Sequence, residues 1–428
     1  MSIQDQEYPE TYQPNAHHSS GTATMKLILN GYYIEELARR LSAAVDTLYD
    51  PNDDDCGGAP ESAVWNTLIL ASADELRFVV TSRRFNASIS LIPSLLGPEI
   101  IQVESTGACV VKGIDVLRAI GSGDGMHPFM MELWESDDHL AATLELSSKE
   151  FSKKLSLKAT LATAESQAAG RHSDCATITA DKFVNSVWLA GRVASDEDWS
   201  DVLWRETDGK LEIVATNGRM LGRSFLPAAK CPKGMRVIVP IKALLATMGM
   251  CLDNQPFSFH VDTKGFLNIS QDVDIFGEVV GRVLVTIEPA SLKTFHPYEP
   301  LIKSLKVVGT CKVQCAHLRA ACEWLDLVDR NKTVLKLDPP VKGCMRITVA
   351  GSESNSETVV PVSDATGTKL EVKVSKQHLR LVAENCPGDE VVLSFSGPNS
   401  LVQAKLGDGL DFYFNPFLTP AAPVAPQQ

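Results

Sequence analysis

The distribution of apolar and polar residues predicts the same kind of strand at three places in the chain. Apolar residues alternate with other residues in ELRFVVTSRRFNASI (residues 75–89), KLEIVATNGRMLGRSF (210–225) and CMRITVAGSESNSETVV (344–360). Such alternation is typical of strands with one buried face. The segments lie about 135 residues apart. We interpret this even spacing as a threefold internal repeat.

Six segments carry apolar residues at helical spacing, and each strand segment has one of them upstream and one downstream. In the first, Ile34, Leu37 and Leu41 fall on one face of a helix. Two helices packed on an antiparallel sheet in each repeat give an α+β fold. The six predicted helices are residues 33–48, 112–121, 178–194, 241–250, 312–330 and 375–385.

The segment TNGRML (residues 216–221) interrupts the second strand pattern. An Asn-Gly pair tolerates the positive φ angles of a tight hairpin turn. A turn that closes its own repeat therefore accounts for Asn217 and Gly218. It leaves open why an arginine and two apolar residues follow at once.

Length and composition place the chain among soluble globular proteins. A chain of 428 residues predicts about three domains. Apolar residues make up 44% and charged residues 22%, as in ordinary globular domains. No apolar run approaches the ~20 residues that cross a bilayer, and the N-terminal region lacks the features of a signal peptide. We therefore expect a cytoplasmic protein without membrane contacts.

The charge pattern limits the ways in which this chain could bind nucleic acid. A net charge of −13 argues against a generally basic nucleic-acid binder. The six predicted helices, however, carry an excess of about three positive charges over negative ones. They therefore form a comparatively positive surface on an acidic protein, where phosphates could be contacted without sequence specificity.

Motifs for catalysis or metal binding are missing from the sequence. It contains no GxSxG, HExxH or Walker A pattern. The only aspartate cluster, PNDDDCGG (residues 51–58), lies in a glycine-rich stretch that we interpret as a solvent-exposed loop. The ten cysteines form no CxxC pair, so we expect reduced thiols rather than a zinc site. We predict no enzyme activity, no metal and no cofactor.

Three segments, in order along the repeat, resemble one known family. They are VATNGRMLG (214–222), RVIVPIKALL (236–245) and FYFNPFL (412–418). They are similar to the Ala-Thr-Asp-Gly-His-Arg-Leu, Val-Ile-Val-Pro-Arg-Lys and C-terminal Val-Met-Pro-Met segments of the bacterial replicative sliding clamp, the beta subunit of DNA polymerase III. The likeness extends from Met25 to Leu418.

The resemblance implies a ring made of two subunits joined head to tail, with the helices facing a central hole and the sheets outside. Duplex DNA would pass through the hole. DNA polymerase, the clamp loader and other proteins with a clamp-binding motif would be held on the ring. The implied domains are residues 25–165, 171–303 and 304–418, flanked by disordered tails at 1–24 and 419–428.

The resemblance also assigns candidate residues to three kinds of site. The pocket that binds partner peptides would contain Trp199, Thr216, Gly218, Arg219, Met220, Leu221, Pro240, Leu244, Val374, Tyr413, Phe414, Asn415, Pro416 and Phe417. The residues facing DNA would be Arg39, Arg40, Arg118, Lys182, Arg192, Lys242, Arg319, Lys376 and Arg380. The dimer interface would bring Leu155 and Leu157 of one subunit to Leu327 and Val328 of the other.

Several positions differ from the family pattern. Asn217 replaces the aspartate of the turn, and Arg219 and Met220 replace its His-Arg pair. Residues 50–61 add negative charge next to the first helix, where the family carries a basic loop that contacts DNA. Weaker contact with DNA is therefore expected. A non-catalytic scaffold that uses the same fold without encircling DNA is the alternative function.

Overall fold

A computed structural model describes most of the chain. The residues described are 23–48, 65–82, 84–123, 127–135, 142–148, 153–162, 175–194, 200–228, 230–250, 252, 255–275, 277–290, 294–326, 334–338, 343–350, 355–367, 370–398 and 400–415. The predicted C-terminal tail lies outside these ranges. So does the predicted N-terminal tail, except that residues 23 and 24 already belong to the first strand.

The same order of elements occurs three times: a strand, a helix, four strands, a second helix and three strands. Repeat 1 also contains one short extra helix and one extra strand. Its elements are β1 (Ala23–Leu29), α1 (Tyr32–Leu48), β2 (Asn66–Ala71), β3 (Leu76–Thr81), β4 (Phe85–Leu91), α2 (Pro93–Leu96), β5 (Ile101–Ser105), β6 (Gly107–Lys112), α3 (Asp115–Gly121), β7 (Phe129–Glu135), β8 (Ala142–Ser148) and β9 (Lys153–Leu161).

Repeats 2 and 3 are joined by a segment that contains one short helix, α6 (Glu299–Lys303). The elements of repeat 2 are β10 (Ala176–Ile178), α4 (Ala180–Val193), β11 (Asp201–Thr207), β12 (Lys210–Thr216), β13 (Met220–Leu226), β14 (Arg236–Pro240), α5 (Ile241–Gly249), β15 (Phe257–Val261), β16 (Leu267–Ile275) and β17 (Glu278–Ile287). Those of repeat 3 are β18 (Gly309–Gln314), α7 (Cys315–Asp326), β19 (Val334–Asp338), β20 (Cys344–Ala350), β21 (Asn355–Gly367), β22 (Val372–Ser375), α8 (Lys376–Glu384), β23 (Glu390–Phe395), β24 (Val402–Gly407) and β25 (Leu410–Phe414).

The predicted α+β fold is confirmed, with corrections at the start of four helices. Residues 112, 178, 312–314 and 375, predicted as helical, belong to strands β6, β10, β18 and β22. Cys311 and Val313 are buried on alternate positions of β18, which pairs with β21 and β23. Strand pairing therefore determines the backbone there, and the helix begins only at Cys315.

The strands form two large antiparallel sheets that continue across the boundaries between repeats. One sheet has thirteen strands and the other twelve. In the first, β4 of repeat 1 pairs with β17 of repeat 2; we call this the first junction. In the second sheet, β13 of repeat 2 pairs with β25 of repeat 3; we call this the second junction.

Helices pack in pairs against the sheets, and the core lies between them. The pairs are α1 with α3, α4 with α5, and α7 with α8. In repeat 2, Phe183 of α4 contacts the rings of Trp204 and Phe257 at 6.2 and 4.3 Å between centroids. The burial of such large rings is a major source of stability in each repeat. Of the helices in the described ranges, none is long and apolar enough to cross a membrane.

Two strands are paired along only part of one edge. Strand β8 pairs with β9 along residues 153–159 of β9, whereas β6 pairs on the other edge only with residues 159–161. Strand β20 pairs with residues 355–361 of β21, whereas β18 pairs on the other edge from residue 362 onward. Within the described chain, half of one edge of β9 and half of one edge of β21 therefore lack a strand partner.

Candidate functional site

The turn between β12 and β13 is fixed by its own side chains. The Asn217 Oδ1 atom accepts hydrogen bonds from the N–H groups of Arg219 and Met220 at 3.1 and 2.8 Å. The Thr216 hydroxyl donates to the Met220 carbonyl at 2.8 Å. Gly218 has a positive φ of 77°, which favours glycine. Residues 216–221 thus form the hairpin turn that the Asn-Gly pair predicts.

Beyond this turn, β13 forms the second junction with the last strand of the chain. Met220 lies opposite Phe414, and Leu221 lies opposite Tyr413. The Asn415 N–H donates to the Arg219 carbonyl at 3.1 Å. The turn and the end of repeat 3, which are far apart in sequence, are therefore neighbours in the structure.

A cavity of about 220 Å³ lies at the second junction. The turn, repeat 3 and the segment between repeats 2 and 3 each contribute to its wall. Seven predicted pocket residues line it together: Thr216, Gly218, Arg219, Met220, Leu221, Tyr413 and Asn415. The sequence did not identify the other five: His296, Pro297, Tyr298, Leu301 and Leu401. A usable signal was the aromatic and proline content of residues 295–300, which fit no element of the repeat.

Other predicted pocket residues do not line the cavity. Leu244, Val374 and Phe414 are fully buried in the main core. Neighbouring residues of a strand point to opposite faces, so Tyr413 reaches the cavity and Phe414 cannot. Pro240 ends β14 at the start of α5 and does not line the cavity either. Trp199, Pro416 and Phe417 lie outside the described residues.

The floor of the cavity is a small apolar cluster on the sheet face opposite the helices. Leu203, Val214, Leu221, Tyr298 and Tyr413 pack there with residues of the segment between repeats 2 and 3. Burial raises the pKa of both tyrosines well above the ordinary value. Their hydroxyls are therefore protonated at neutral pH and can donate hydrogen bonds.

Six of the twelve described lining residues have a polar side chain: Thr216, Arg219, His296, Tyr298, Tyr413 and Asn415. Arg219 is exposed, and neither aspartate nor glutamate is among the described lining residues. Nearby, the half-buried His378 packs against Phe414, with 5.3 Å between ring centroids. Burial, together with the charge of Arg219, lowers the pKa of His378 to about 4. His378 is thus neutral at pH 7, and Arg219 supplies the positive charge at the cavity.

A group of charges around the buried Glu212, the Glu212 cluster, lies next to this floor and comprises Arg205, Glu212, Arg223 and Glu299. The fully buried Glu212 carboxylate accepts hydrogen bonds from Arg205 and Arg223. Arg205 Nη1 also lies 2.6 Å from Glu299 Oε1. Burial by itself raises the pKa of Glu212, but the hydrogen bond from Arg205 and the charge of Arg223 outweigh it. Glu212 is therefore ionised.

The predicted DNA-facing residues have different exposures. Four are exposed on the helices: Arg39, Arg118, Arg192 and Arg319. Lys242 is also exposed, and Arg40, Lys182 and Arg380 are half-buried. Lys376 is only 7% exposed. Because a phosphate could not reach it there, we remove Lys376 from the candidate set.

Several of these cations are paired with acids on their own helix or on the neighbouring one. Arg39 and Arg40 both bond Glu36, and Arg118 lies 2.6 Å from Asp46. The guanidinium of Arg192 instead stacks over Trp188, 4.6 Å from the ring centroid. The positive potential of the helices is thus weaker than the number of cations alone indicates.

The predicted interface residues Leu155 and Leu157 lie in the half of β9 whose edge is incompletely paired. Both are half-buried and pack against the core. Leu327 and Val328 lie outside the described residues. Among the described residues, no group of three or more His, Cys, Asp or Glu side chains could hold a metal ion, and all eight cysteines there are free thiols.

Solved structures with this fold are bacterial sliding clamps. The DNA polymerase sliding clamp from Bacillus subtilis is 16% identical, with a TM-score of 0.72 over 93% of this chain and 100% of that chain. The Pseudomonas aeruginosa sliding clamp (DNA polymerase III subunit beta) bound to griselimycin is 16% identical, with a TM-score of 0.71 over 92% and 100%. The beta subunit from Streptococcus pyogenes DNA polymerase is 12% identical, with a TM-score of 0.66 over 92% and 100%.

The chain therefore has the fold of a class of DNA polymerase subunits. More specifically, its fold is that of the DNA polymerase III beta sliding clamp, as the sequence resemblance predicted. No family model matches the chain, and no curated protein matches it in sequence.

Proposed function

We propose that the chain is a DNA sliding clamp. Two copies would close head to tail around duplex DNA and tether the replicative polymerase, the clamp loader and other replication and repair proteins. In this role the chain is a processivity subunit without a reaction of its own. The observation that carries the proposal is the way the repeats are joined.

Both junctions pair the same two positions of the repeat. Strands β4 and β13 occupy one position, and β17 and β25 occupy the other. The corresponding strands are β9 in repeat 1 and β21 in repeat 3. Among the described residues, neither forms a junction of this kind. Pairing β9 of one copy with β21 of another would repeat the junction between chains.

Such a contact joins two different edges, so it is heterologous and generates a closed ring when the rotation permits. Two chains of three repeats would give a ring of six. The part of β21 without a partner on this edge carries the exposed apolar residue Val359, which is 51% exposed. The corresponding part of β9 carries the half-buried Leu155 and Leu157. Unpaired strand edges of this kind promote uncontrolled association unless they are covered. Closure between two copies covers them.

Inside such a ring, DNA would be held by enclosure rather than by many contacts. The candidate phosphate contacts are Arg39, Arg40, Arg118, Lys182, Arg192, Lys242, Arg319 and Arg380. Because few contacts form at once, log K should fall only gently with log salt concentration. Binding should not depend on DNA sequence, since phosphate contacts do not read bases.

The cavity at the second junction is suited to a short peptide. It offers an apolar floor with a few polar groups, as peptide and small-ligand pockets generally do. A polymerase held there on a ring that cannot leave DNA would rebind its primer end before diffusing away. Even a micromolar contact then confers processivity through effective concentration.

Retention on circular DNA tests encirclement directly. The protein is loaded by a clamp loader onto nicked circular DNA, separated from free protein, and the DNA is then cut once. We expect retention on the circle and loss after cutting, because a ring can slide off the end of linear DNA. Equal loss from circular and linear DNA, with a monomeric mass in solution, would favour the non-catalytic scaffold instead.

Peptide binding tests the pocket. The probe is a fluorescein-labelled peptide in which glutamine precedes leucine and phenylalanine, titrated with protein and followed by anisotropy. We expect saturable binding that is lost in Met220→Asp. Griselimycin, which is bound in the P. aeruginosa structure, provides an unrelated competitor for the same titration. Equal binding by wild type and variant would remove the pocket from this location.

A further inference from the structure

Helix α6 forms one wall of the pocket. None of its five residues is buried, although Ile302 packs against the apolar cluster of the floor. Leu301 on this helix lines the cavity, as does Tyr298 immediately before it. A helix this short has no stability of its own. The position of this wall therefore depends on the contacts that attach α6 to the rest of the protein.

Glu299 attaches α6 to the Glu212 cluster. Its Oε1 atom lies 2.6 Å from Arg205 Nη1, the one ion pair that α6 makes among the described residues. The same guanidinium lies 5.3 Å from the centroid of the Tyr298 ring and bonds the fully buried Glu212. Glu299 is thus linked to an immobile part of repeat 2.

Geometry separates the role of Glu299 from that of a lining residue. Its side chain is 38% exposed and does not line the cavity. Tyr298 and Leu301, which lie on either side of Glu299 in the sequence, both line the cavity. Any effect of Glu299 on a bound peptide must therefore act through the position of these neighbours.

We propose that Glu299 is a positioning residue for peptide binding, because its ion pair with Arg205 holds Tyr298 and Leu301 in the pocket wall. This inference rests on the proposed function, since it assigns a role within the proposed peptide site. It adds that one charged contact outside the cavity helps to hold the wall, beside the apolar packing of Tyr298 and Ile302.

The first test compares Glu299→Gln with a matched control. Asp272→Asn breaks the Arg282–Asp272 pair at the first junction, which spans 2.9 Å and has a similarly exposed acid at 42%. We expect Glu299→Gln to weaken binding of the glutamine–leucine–phenylalanine peptide about three- to tenfold and the control to leave it unchanged. Both variants should melt within about 2 °C of wild type. Wild-type affinity in Glu299→Gln would overturn the proposal.

A double-mutant cycle tests the route through the wall. If Glu299 acts by positioning Leu301, its substitution should have less than about a twofold effect when Leu301 is already alanine. The full loss in the Leu301→Ala background would overturn the positioning of Leu301, because an effect that does not pass through this side chain is multiplicative.

Amide hydrogen exchange provides a measurement without peptide. The Ile302 and Ser304 N–H groups donate to the carbonyls of Tyr298 and Pro300 at 3.1 and 3.0 Å. We expect these amides to exchange at least about threefold faster in Glu299→Gln, as local opening becomes easier. Unchanged exchange would overturn the proposal. If the wild type binds no peptide, the proposed pocket fails, whereas exchange still decides whether Glu299 holds α6.

Discussion

The two junctions share a backbone arrangement but differ in the side chains on their surface. Antiparallel pairs join Gly281–Ile287 to Phe85–Leu91 at the first and Met220–Ser224 to Leu410–Phe414 at the second. At the first, Arg77 bonds Glu75 and Arg282 bonds Asp272 on the strand surface. At the second, apolar residues and the segment containing α6 cover the corresponding region.

The cavities at the two junctions differ accordingly. The cavity at the first is larger, about 390 Å³, and is lined by three acids and two arginines among its described residues. An apolar peptide there would remove charged groups from water without replacing their hydrogen bonds, which is costly. An apolar peptide in the second cavity would avoid this desolvation cost, because no aspartate or glutamate is among its described lining residues. The repeated fold supplies a junction, and the side chains determine which junction can bind a peptide.

The largest expected difference between the two junctions is the loss of stability when the acid of an ion pair is removed. Glu212→Ala leaves two arginines beside a buried site and should destabilise the protein by about 3–5 kcal/mol. Asp272→Ala removes an exposed partner and should cost less than about 1 kcal/mol. Calorimetric melting temperatures of the two variants check this. Similar melting temperatures would show that the junctions do not differ in this respect.

The destabilisation caused by Glu212→Ala should be smaller at low pH. The Arg205 hydrogen bond and the charge of Arg223 hold the pKa of Glu212 below its ordinary value despite burial. A lowered pKa in the folded state stabilises the protein above the unfolded-state pKa, and this stabilisation is lost as pH falls through the folded-state pKa. The melting-temperature difference from wild type should therefore shrink below about pH 4. A constant difference from pH 7 to pH 3 would contradict it.

A carboxylate placed in each cavity should affect peptide binding differently. Met220→Asp puts a carboxylate in the second cavity and should weaken peptide binding about 30-fold, or ~2 kcal/mol. Val279→Asp, at a 38% exposed lining position of the first cavity, should have no effect. Anisotropy titrations measure both. Weaker binding in the Val279 variant alone would place the peptide at the first junction.

Val359→Asp extends the comparison to the proposed junction between chains. A charge at this exposed position of β21 should raise the dimer dissociation constant at least about tenfold, measured by sedimentation velocity. Leu95→Asp, at a 43% exposed position on α2, is the control and should dimerise normally. An unchanged dimer in the Val359 variant would mean that another surface joins the chains.

The smallest effect is expected at Asp411, opposite Arg223 at the second junction. Burial raises the pKa of Asp411, although the charges of Lys405 and Arg223 oppose the shift. The ionised form is therefore disfavoured in the folded state at neutral pH. Asp411→Asn should raise the melting temperature by about 1 °C at pH 7, and the gain should shrink as pH falls through the raised folded-state pKa and vanish below the unfolded-state pKa. A lower melting temperature would show that the carboxylate is needed there.

Sequence patterns predicted the features that depend on local periodicity. Alternation and helical spacing identified the repeat, because each unit buries one face of its strands and helices. The Asn217-Gly218 turn was also predictable, since few residue pairs suit its backbone. The resemblance to the sliding-clamp family, rather than local periodicity, placed Tyr413 and Asn415 near Thr216.

Features that depend on contacts between distant segments were missed. Tyr298 and Leu301 belong to no periodic element, so nothing local marks them as a wall. Leu244 matches the family-like segment yet points into the core, because its helix buries that face. The burial of Lys376 follows from packing around the start of α8, which the charge of the residue does not reveal.

The half-paired edges of β9 and β21 have a genetic consequence if two copies close as proposed. A chain altered only at β21 keeps a working β9 edge, so it still joins a normal partner but leaves one gap. Such a chain would be dominant-negative, because it would combine with normal subunits to form open dimers that dissociate from DNA. Mixing wild-type chains with Val359→Asp chains and measuring retention on nicked circular DNA would show this as a loss larger than simple dilution explains.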